Sequence, residues 1–169
     1  MKVQEIPSFD IMFFLVPQEI KDYLIKSENI SQRPDFHPEG NTLKHIKLVY
    51  NRALKSNDIN QVISALFHDL GKIDTTTTSP KTGYPTSPDH EKVSAELVMK
   101  YKNWIESFGG DIEQIFEIVS NHMRMKRFDE MKMSKQEKLM SNKFYDKFLE
   151  FTKMDDMFTL TPHELEAIK

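Results

Sequence analysis

The chain has 169 residues, 38% of them apolar, with 23 Lys and Arg against 26 Asp and Glu for a net charge of −3. One domain with its own core, residues 1–169, accounts for that size, and the mild acidity excludes whole-chain attraction to nucleic acid while leaving a local basic patch open. Cysteine is absent, which excludes disulfide partners and thiolate metal sites, leaves His, Asp and Glu as the available metal ligands, and fits a reducing cytoplasm.

The first segment, Met1 to Val16, carries the apolar run Ile11-Met12-Phe13-Phe14-Leu15-Val16. It is far below the ~18 residues of a membrane span and lacks a basic leader or cleavage site, so it reads as core. Pro17 to Ser27 sets Ile20, Tyr23 and Leu24 on one side of a short amphipathic helix. Asn41 to Lys55 spaces Leu43, Ile46, Val49, Tyr50 and Ala53 by threes and fours, with His45 among them. Asp58 and Gln61 form a capping-box-like start for a helix through Val62, Ile63, Ala65, Leu66 and Phe67, which Gly71 should stop. Ile73 to Pro88, with four consecutive threonines, three prolines and Gly83, reads as a loop running past that helix end and as a candidate lid. Ser87-Pro88 should open a helix through Phe108, stopped by Gly109-Gly110. Asp111 opens the next, in which Ile112, Ile115, Phe116, Ile118 and Val119 lead to His122. A basic stretch precedes a helical segment from Ser141 to Phe158, and Thr161-Pro162-His163-Glu164 caps a final turn. The pattern is all-α, a compact helical bundle, with no internal repeat and no strand ladder.

The chemistry concentrates at His68-Asp69, an imidazole beside a carboxylate in the run Ala65-Leu66-Phe67-His68-Asp69-Leu70-Gly71-Lys72. His45, His90 and His122 each lie in a helical segment, and Asp155-Asp156 ends another. Imidazole suits transition metals and carboxylate suits harder cations or bridges two ions, so the mixed set favours Mn, Fe, Co, Ni, Zn or Mg without choosing among them. The natural chemistry of such a site is hydrolysis. Plainer readings compete. A His-Asp pair can be a surface or helix-end feature, His90 a polar first-turn residue, and His122 a cap on the helix dipole. His37, before Pro38, suits a structural or substrate-edge role, and His163 an exposed one. Asp155 and Asp156 lie about 100° apart on a helix and cannot share a direction. Arg124-Met125-Lys126-Arg127 reads as a solvated basic face.

The order His45, His68-Asp69, Asp155 resembles the signature of the HD superfamily of metal-dependent phosphohydrolases. The likeness is closer to the HD domain attached to bacterial CCA-adding tRNA nucleotidyltransferases. His37-Pro38-Glu39-Gly40 with His45, Leu66 to Lys72, Thr75-Thr76-Thr77, His90-Glu91, His122-Met123-Arg124 and Asp155 carry it, from residue 37 to 156. With no nucleotidyltransferase domain before it, the chain would be a stand-alone HD protein. The resemblance implies one metal held by His45, His68, Asp69 and Asp155, and a second held by His90 and His122 with Asp69 bridging. Some members carry a histidine where this chain has Asn121. Catalytic roles fall to Asp69 and, for phosphate charge, to Lys72 and Arg124, with Lys126 or Arg127 beside them. His37, Glu39 and Glu91 are candidate outer partners or substrate contacts. The expected function is cleavage of a phosphomonoester or 2′,3′-cyclic phosphodiester in a nucleotide or RNA end. The alternatives are a nucleotide- or RNA-binding module that retains the metal site without turnover, or a purely structural metal.

Overall fold

A computed structural model describes residues 5–168. The elements run α1 (Phe9–Leu15), α2 (Gln18–Ser27), α3 (Thr42–Ser56), α4 (Ile59–Phe67), α5 (Lys72–Thr75), β1 (Thr77–Thr78), β2 (Pro85–Thr86), α6 (His90–Lys100), α7 (Lys102–Ser107), α8 (Ile112–Lys126), α9 (Met133–Met140), α10 (Tyr145–Met154) and α11 (Pro162–Ala167). The result is the all-α bundle expected. The one departure among the described residues is a two-residue antiparallel pair, Thr77 with Thr86 and Thr78 with Pro85, inside the segment read as a loop.

The bundle is arranged around α4, which packs against α3, α6, α8 and α10. Every residue from Gln61 to Phe67 is buried, as befits a helix that is apolar on all sides. Its two polar side chains are accommodated within the fold: Ser64 Oγ donates to the Asn60 carbonyl at 2.7 Å and Gln61 Nε2 to the Lys147 carbonyl at 3.1 Å. That second bond explains why the capping-box pattern is not completed. Asp58 caps the Asn60 amide, but Gln61 turns inward to α10 and does not reach back.

Gly71 also acts differently from expectation. The chain after Phe67 tightens into successive turns, with the amides of Leu70, Lys72 and Ile73 bonded three residues back. Gly71 has ordinary right-handed helical angles, φ −60° and ψ −18°. What requires glycine is close approach: a Cβ there would lie 2.1 Å from the His90 carbonyl oxygen. The Gly71 amide donates to Ser94 Oγ at 2.8 Å, pinning the turn after α4 onto the first turns of α6.

Pro88 does not enter a helix. Asp89 takes a left-handed conformation, φ 58°, so α6 begins at His90. The helix expected to reach Phe108 breaks at Tyr101. There the Tyr101 hydroxyl donates to Glu19, and Trp104 Nε1 to the Leu15 carbonyl at 3.1 Å, so the break follows attachment to α1 and α2. Of the N-terminal apolar run only Met12 and Val16 are buried. Ile11, Phe14 and Leu15 are exposed, a correction to the core reading, and Met1 to Gln4 lie outside the described residues. The segment from Ser141 to Phe158 forms the shorter α10, and α9 was hidden in the basic stretch. Among the described residues no helix is long and apolar enough to cross a membrane.

Arg52, two turns beyond His45 on α3, ties down the C-terminal region. Its guanidinium donates to Glu164 Oε2 at 2.6 Å and Oε1 at 3.1 Å, and to the carbonyls of Met154 at 2.9 Å and Asp156 at 2.6 Å. Glu164 also completes the capping box with Thr161, as expected. Arg52 and the Thr161 bonds bring the Glu164 pKa down to about 2.

Two outcomes follow. Gly71→Ala should lower stability by roughly 1–3 kcal/mol, read by urea denaturation, because α6 must move off the turn. Glu164→Gln should cost about 1–2 kcal/mol at pH 7, the exposed part of the pair being screened. The lowered pKa makes this stabilisation present above the unfolded carboxyl's range near 4.5 and lost as pH falls toward 2. The gap between wild type and variant should therefore close on acidification, and a constant gap from pH 7 to pH 2 would contradict it.

Candidate metal centre

Five elements deliver six buried side chains to one point. His45 comes from the second turn of α3, His68 and Asp69 from the turn that ends α4, His90 from the first residue of α6, His122 from α8, and Asp155 from the residue after α10. The helices converge there because α4 is central and its end is where α3, α6, α8 and α10 all pass.

In each of four histidines the Nδ1 atom is already committed. His45 Nδ1 lies 2.8 Å from Glu39 Oε1, His68 Nδ1 2.7 Å from the Ala65 carbonyl, His90 Nδ1 3.0 Å from the Ser87 carbonyl, and His122 Nδ1 2.7 Å from the Val119 carbonyl. These partners accept only, so Nδ1 carries the hydrogen, and in the neutral ring each Nε2 presents a lone pair. All four Nε2 atoms then face Asp69. Lone pairs aimed at one another and at a carboxylate repel unless a cation or proton sits among them.

The donors divide into two sets that share Asp69. In the first, His45 Nε2, His68 Nε2, Asp69 Oδ2 and Asp155 Oδ1 surround a small volume. His45 Nε2 lies 3.2 Å from His68 Nε2, 3.2 Å from Asp69 Oδ2 and 2.8 Å from Asp155 Oδ1. His68 Nε2 lies 3.3 Å from Asp69 Oδ2 and 3.4 Å from Asp155 Oδ1. In the second, Asp69 Oδ1 is 2.9 Å from His90 Nε2 and 3.4 Å from His122 Nε2, and those two nitrogens are 3.1 Å apart. Ligands at ~2.0–2.1 Å from a common ion are separated by roughly 2.8–3.4 Å in octahedral or tetrahedral arrangement, so both sets fit a divalent cation. Of the three His and carboxylate triads close enough to hold a metal among the described residues, His45-His68-Asp69 and Asp69-His90-His122 lie in these two sets, and the third is His37-Glu39-His45.

The electrostatics show what an ion would relieve. Burial opposes ionisation of Asp69 and Asp155, yet His68 with Lys72 holds Asp69, and Lys126 with His68 holds Asp155, well below the usual carboxylate range. Burial likewise disfavours a charged His68, but the two carboxylates overcome it and raise its pKa to about 9. Burial and its imidazole neighbours drop His122 to about 4. The protein's own groups thus gather one proton and two lysines around two buried carboxylates. Asp69 Oδ2 and Asp155 Oδ2 still make no hydrogen bond, although the ammonium groups of Lys72 and Lys126 lie 3.0 Å from them.

Around these donors the expected outer residues separate. Glu39 is buried and its Oε1 accepts from both His45 and His37, each at 2.8 Å. Burial resists ionisation of Glu39, but the two bonds bring its pKa to about 2, so it is a fixed anion that orients His45. Glu91 is 3.9 Å from His90 Nδ1, beyond a hydrogen bond, and the Ser87 carbonyl takes the role expected of it. His37 borders a cavity of about 540 Å³ with Lys72, His90, Lys126 and Arg127, closed on one side by Ser79 to Pro88. Arg124 is not in that cavity: it bonds Asn121 Oδ1 at 3.0 Å and lines a neighbouring groove, and Lys126 is the cation beside Asp155. Asn121 points at Glu117, donating to its carbonyl at 2.8 Å and its Oε2 at 3.0 Å. His163 is exposed, and Asp156 caps the following turn by accepting from the Phe158 amide at 2.8 Å.

Sequence reasoning missed Arg52, Gln32 and Arg33. Arg52 bonds the carbonyls on both sides of Asp155, fixing that candidate ligand against the helix of His45. Gln32 Oε1 accepts from Lys72 Nζ at 2.8 Å, and Arg33 lies over the Phe36 and Tyr84 rings at the cavity mouth, 4.7 and 5.0 Å from their centroids. Only the offset of seven from His45 to Arg52, two helical turns, was a signal.

The HD domain family model matches residues 42–142 of the chain. No curated protein matches the sequence.

Metal titration should separate the two donor sets. His122→Ala should retain tight binding of one ion and lose the other, whereas Asp69→Ala should weaken both. Glu39→Gln should lower affinity at the first set by about 10–100-fold, measured by calorimetry on metal-stripped protein. Equal stoichiometry in all three variants would contradict the shared-carboxylate arrangement.

Proposed function

This chain belongs to the HD-domain family, and we propose that it is a phosphohydrolase acting on a nucleotide or RNA-end phosphomonoester or 2′,3′-cyclic phosphodiester. The family consists mostly of metal-dependent hydrolases. The observation that carries the reading is the division of Asp69, one carboxylate oxygen facing His45 and His68 and the other facing His90 and His122.

His45, His68, Asp69 and Asp155 would hold one divalent ion, and Asp69, His90 and His122 a second. When bound, such ions supply Lewis-acid polarisation of phosphoryl oxygen and acidify water at neutral pH. The rest is the work of the chain. Committed Nδ1 atoms fix the tautomer and aim each Nε2 at the shared carboxylate. Lys72 and Lys126, on the cavity side of the two carboxylates, neutralise phosphate charge as it builds in the transition state. We assign that role to Lys126 in place of Arg124, which faces the other groove. His37, held by Glu39, forms a wall of the cavity and contacts the bound ester. The Ser79 to Pro88 segment covers the opposite wall and excludes water when substrate is present.

The substrate class is supported by the spacing of His37 through Asp155, which is similar to that of the HD domain attached to CCA-adding tRNA enzymes. His37, Glu39 and Asp155 lie outside the stretch matched by the family model, yet they pack into the same cluster. We therefore take residues 1–169 as one HD domain.

The test is product release from mono-, cyclic and triphosphate nucleotides by metal-stripped protein resupplied with Mn, Ni, Co, Mg or Zn in turn. Turnover with at least one metal, reduced 10³-fold or more by Asp69→Ala, is expected. Stoichiometric metal binding without turnover of any ester would replace the hydrolase by a nucleotide- or RNA-binding module.

A further inference from the structure

Residues 124–143 contain seven Lys and Arg against three Asp and Glu, in a chain whose net charge is −3. The structure gathers part of this excess in a groove of about 730 Å³ between α8 and α9. Arg124, Arg127, Lys135 and Lys138 line it, and Phe116 and Leu139 form an apolar floor. Among the described residues no ion pair engages Arg127, Lys135 or Lys138, although pairs form at Lys126 and Lys143 on either side. The two acidic residues of the groove are accounted for. Glu117 Oε2 accepts from Asn121 at 3.0 Å and Asn142 at 3.3 Å, and Glu91 lies at the junction with the metal cavity.

The groove adjoins the cavity beside the metal centre, the two sharing Glu91, Met123 and Arg127 in their walls. The 540 Å³ cavity is of a size that suits one small ligand. A substrate no larger than that has no use for a further run of unpaired cations leading away from it. A single-stranded polyanion does: such strands are held by a positively charged groove that follows the phosphates, with apolar or aromatic surface beneath the bases.

We propose that this groove holds the strand of a single-stranded RNA whose terminal phosphoester enters the metal cavity, so that the substrate is an RNA end and not a free nucleotide. Lys135 and Lys138, one turn apart on α9, contact backbone phosphates of the nucleotides that precede the end. Arg127 stands at the junction and passes the strand from groove to cavity. The proposal rests on the phosphohydrolase reading for its chemistry but on the groove alone for its binding.

Binding is measured first, by fluorescence anisotropy of a labelled ten-nucleotide RNA with the metal-stripped full chain. Lys135→Ala/Lys138→Ala should weaken it about tenfold and lower the slope of log affinity against log salt by about 1.4, near 0.7 per lost phosphate contact. Lys135→Glu/Lys138→Glu should weaken it further. Both lysines are exposed, and circular dichroism checks that each variant folds. In turnover assays, the ratio of kcat/KM for the RNA end to that for the matching mononucleotide should fall at least tenfold in the double variant. Unchanged RNA affinity and salt slope in both double variants would overturn the proposal, as would a wild-type enzyme that uses mononucleotide and RNA end equally well. RNA binding that depends on Lys135 and Lys138 without hydrolysis of any ester would leave the groove standing and remove only the phosphohydrolase reading.

Discussion

Asp69 is a buried carboxylate, and the arrangement of the molecule answers to that. An ionised carboxylate in a protein interior is tolerated only when positive charge and hydrogen-bond donors surround it. Here the positive charge comes from His68 at the end of α4 and from Lys72 of α5, while His45, His90 and His122 bring α3, α6 and α8 against the same carboxylate. Each of these helices must approach the end of α4 closely, and their packing around that helix follows. The same demand explains a glycine at position 71: the turn bearing Asp69 can meet the first turn of α6 only if no Cβ intervenes.

Burial also gives the site its chemical character. Committed Nδ1 atoms remove the freedom of each imidazole to rotate or change tautomer, so the metal-facing nitrogens are set before any ion arrives. Three of the four anchors are backbone carbonyls, which substitution of side chains cannot remove. The fourth is Glu39, and it differs in being charged and in serving His37 as well, coupling the cavity wall to the first donor set. Arg52 does the comparable task for Asp155. It fixes the carbonyls on both sides of a carboxylate that follows the last turn of α10 and would otherwise be held by one backbone bond, from its amide to Phe151.

The surface around the centre carries a local excess of positive charge. Lys72 and Lys126 meet the two carboxylates from the cavity side, and the basic segment from Arg124 onward continues outward along α8 and α9. Charge of this kind, local in a chain that is acidic as a whole, raises the concentration of an anionic ligand at one place without making the protein bind nucleic acid everywhere.

Most helices, their order, and the residue types of the candidate metal centre were legible in the chain, because apolar period and the clustering of His with Asp in one helix-ending motif are local properties. His68-Asp69 declared itself by its setting, and the Thr161 capping box by four adjacent residues. What sequence could not supply are relations across distance. That Asp69 faces two donor sets with separate oxygens depends on the crossing of α3, α6 and α8. That Gly71 is needed for contact with His90, Gln61 turns to α10, and Lys126 and not Arg124 meets Asp155 are facts of packing between segments far apart in the chain. Residue identity and spacing determine which groups are available and which helix carries them. Only tertiary structure decides which atoms face each other, because a helix fixes the direction of its side chains relative to its own axis and leaves the orientation of that axis to the core.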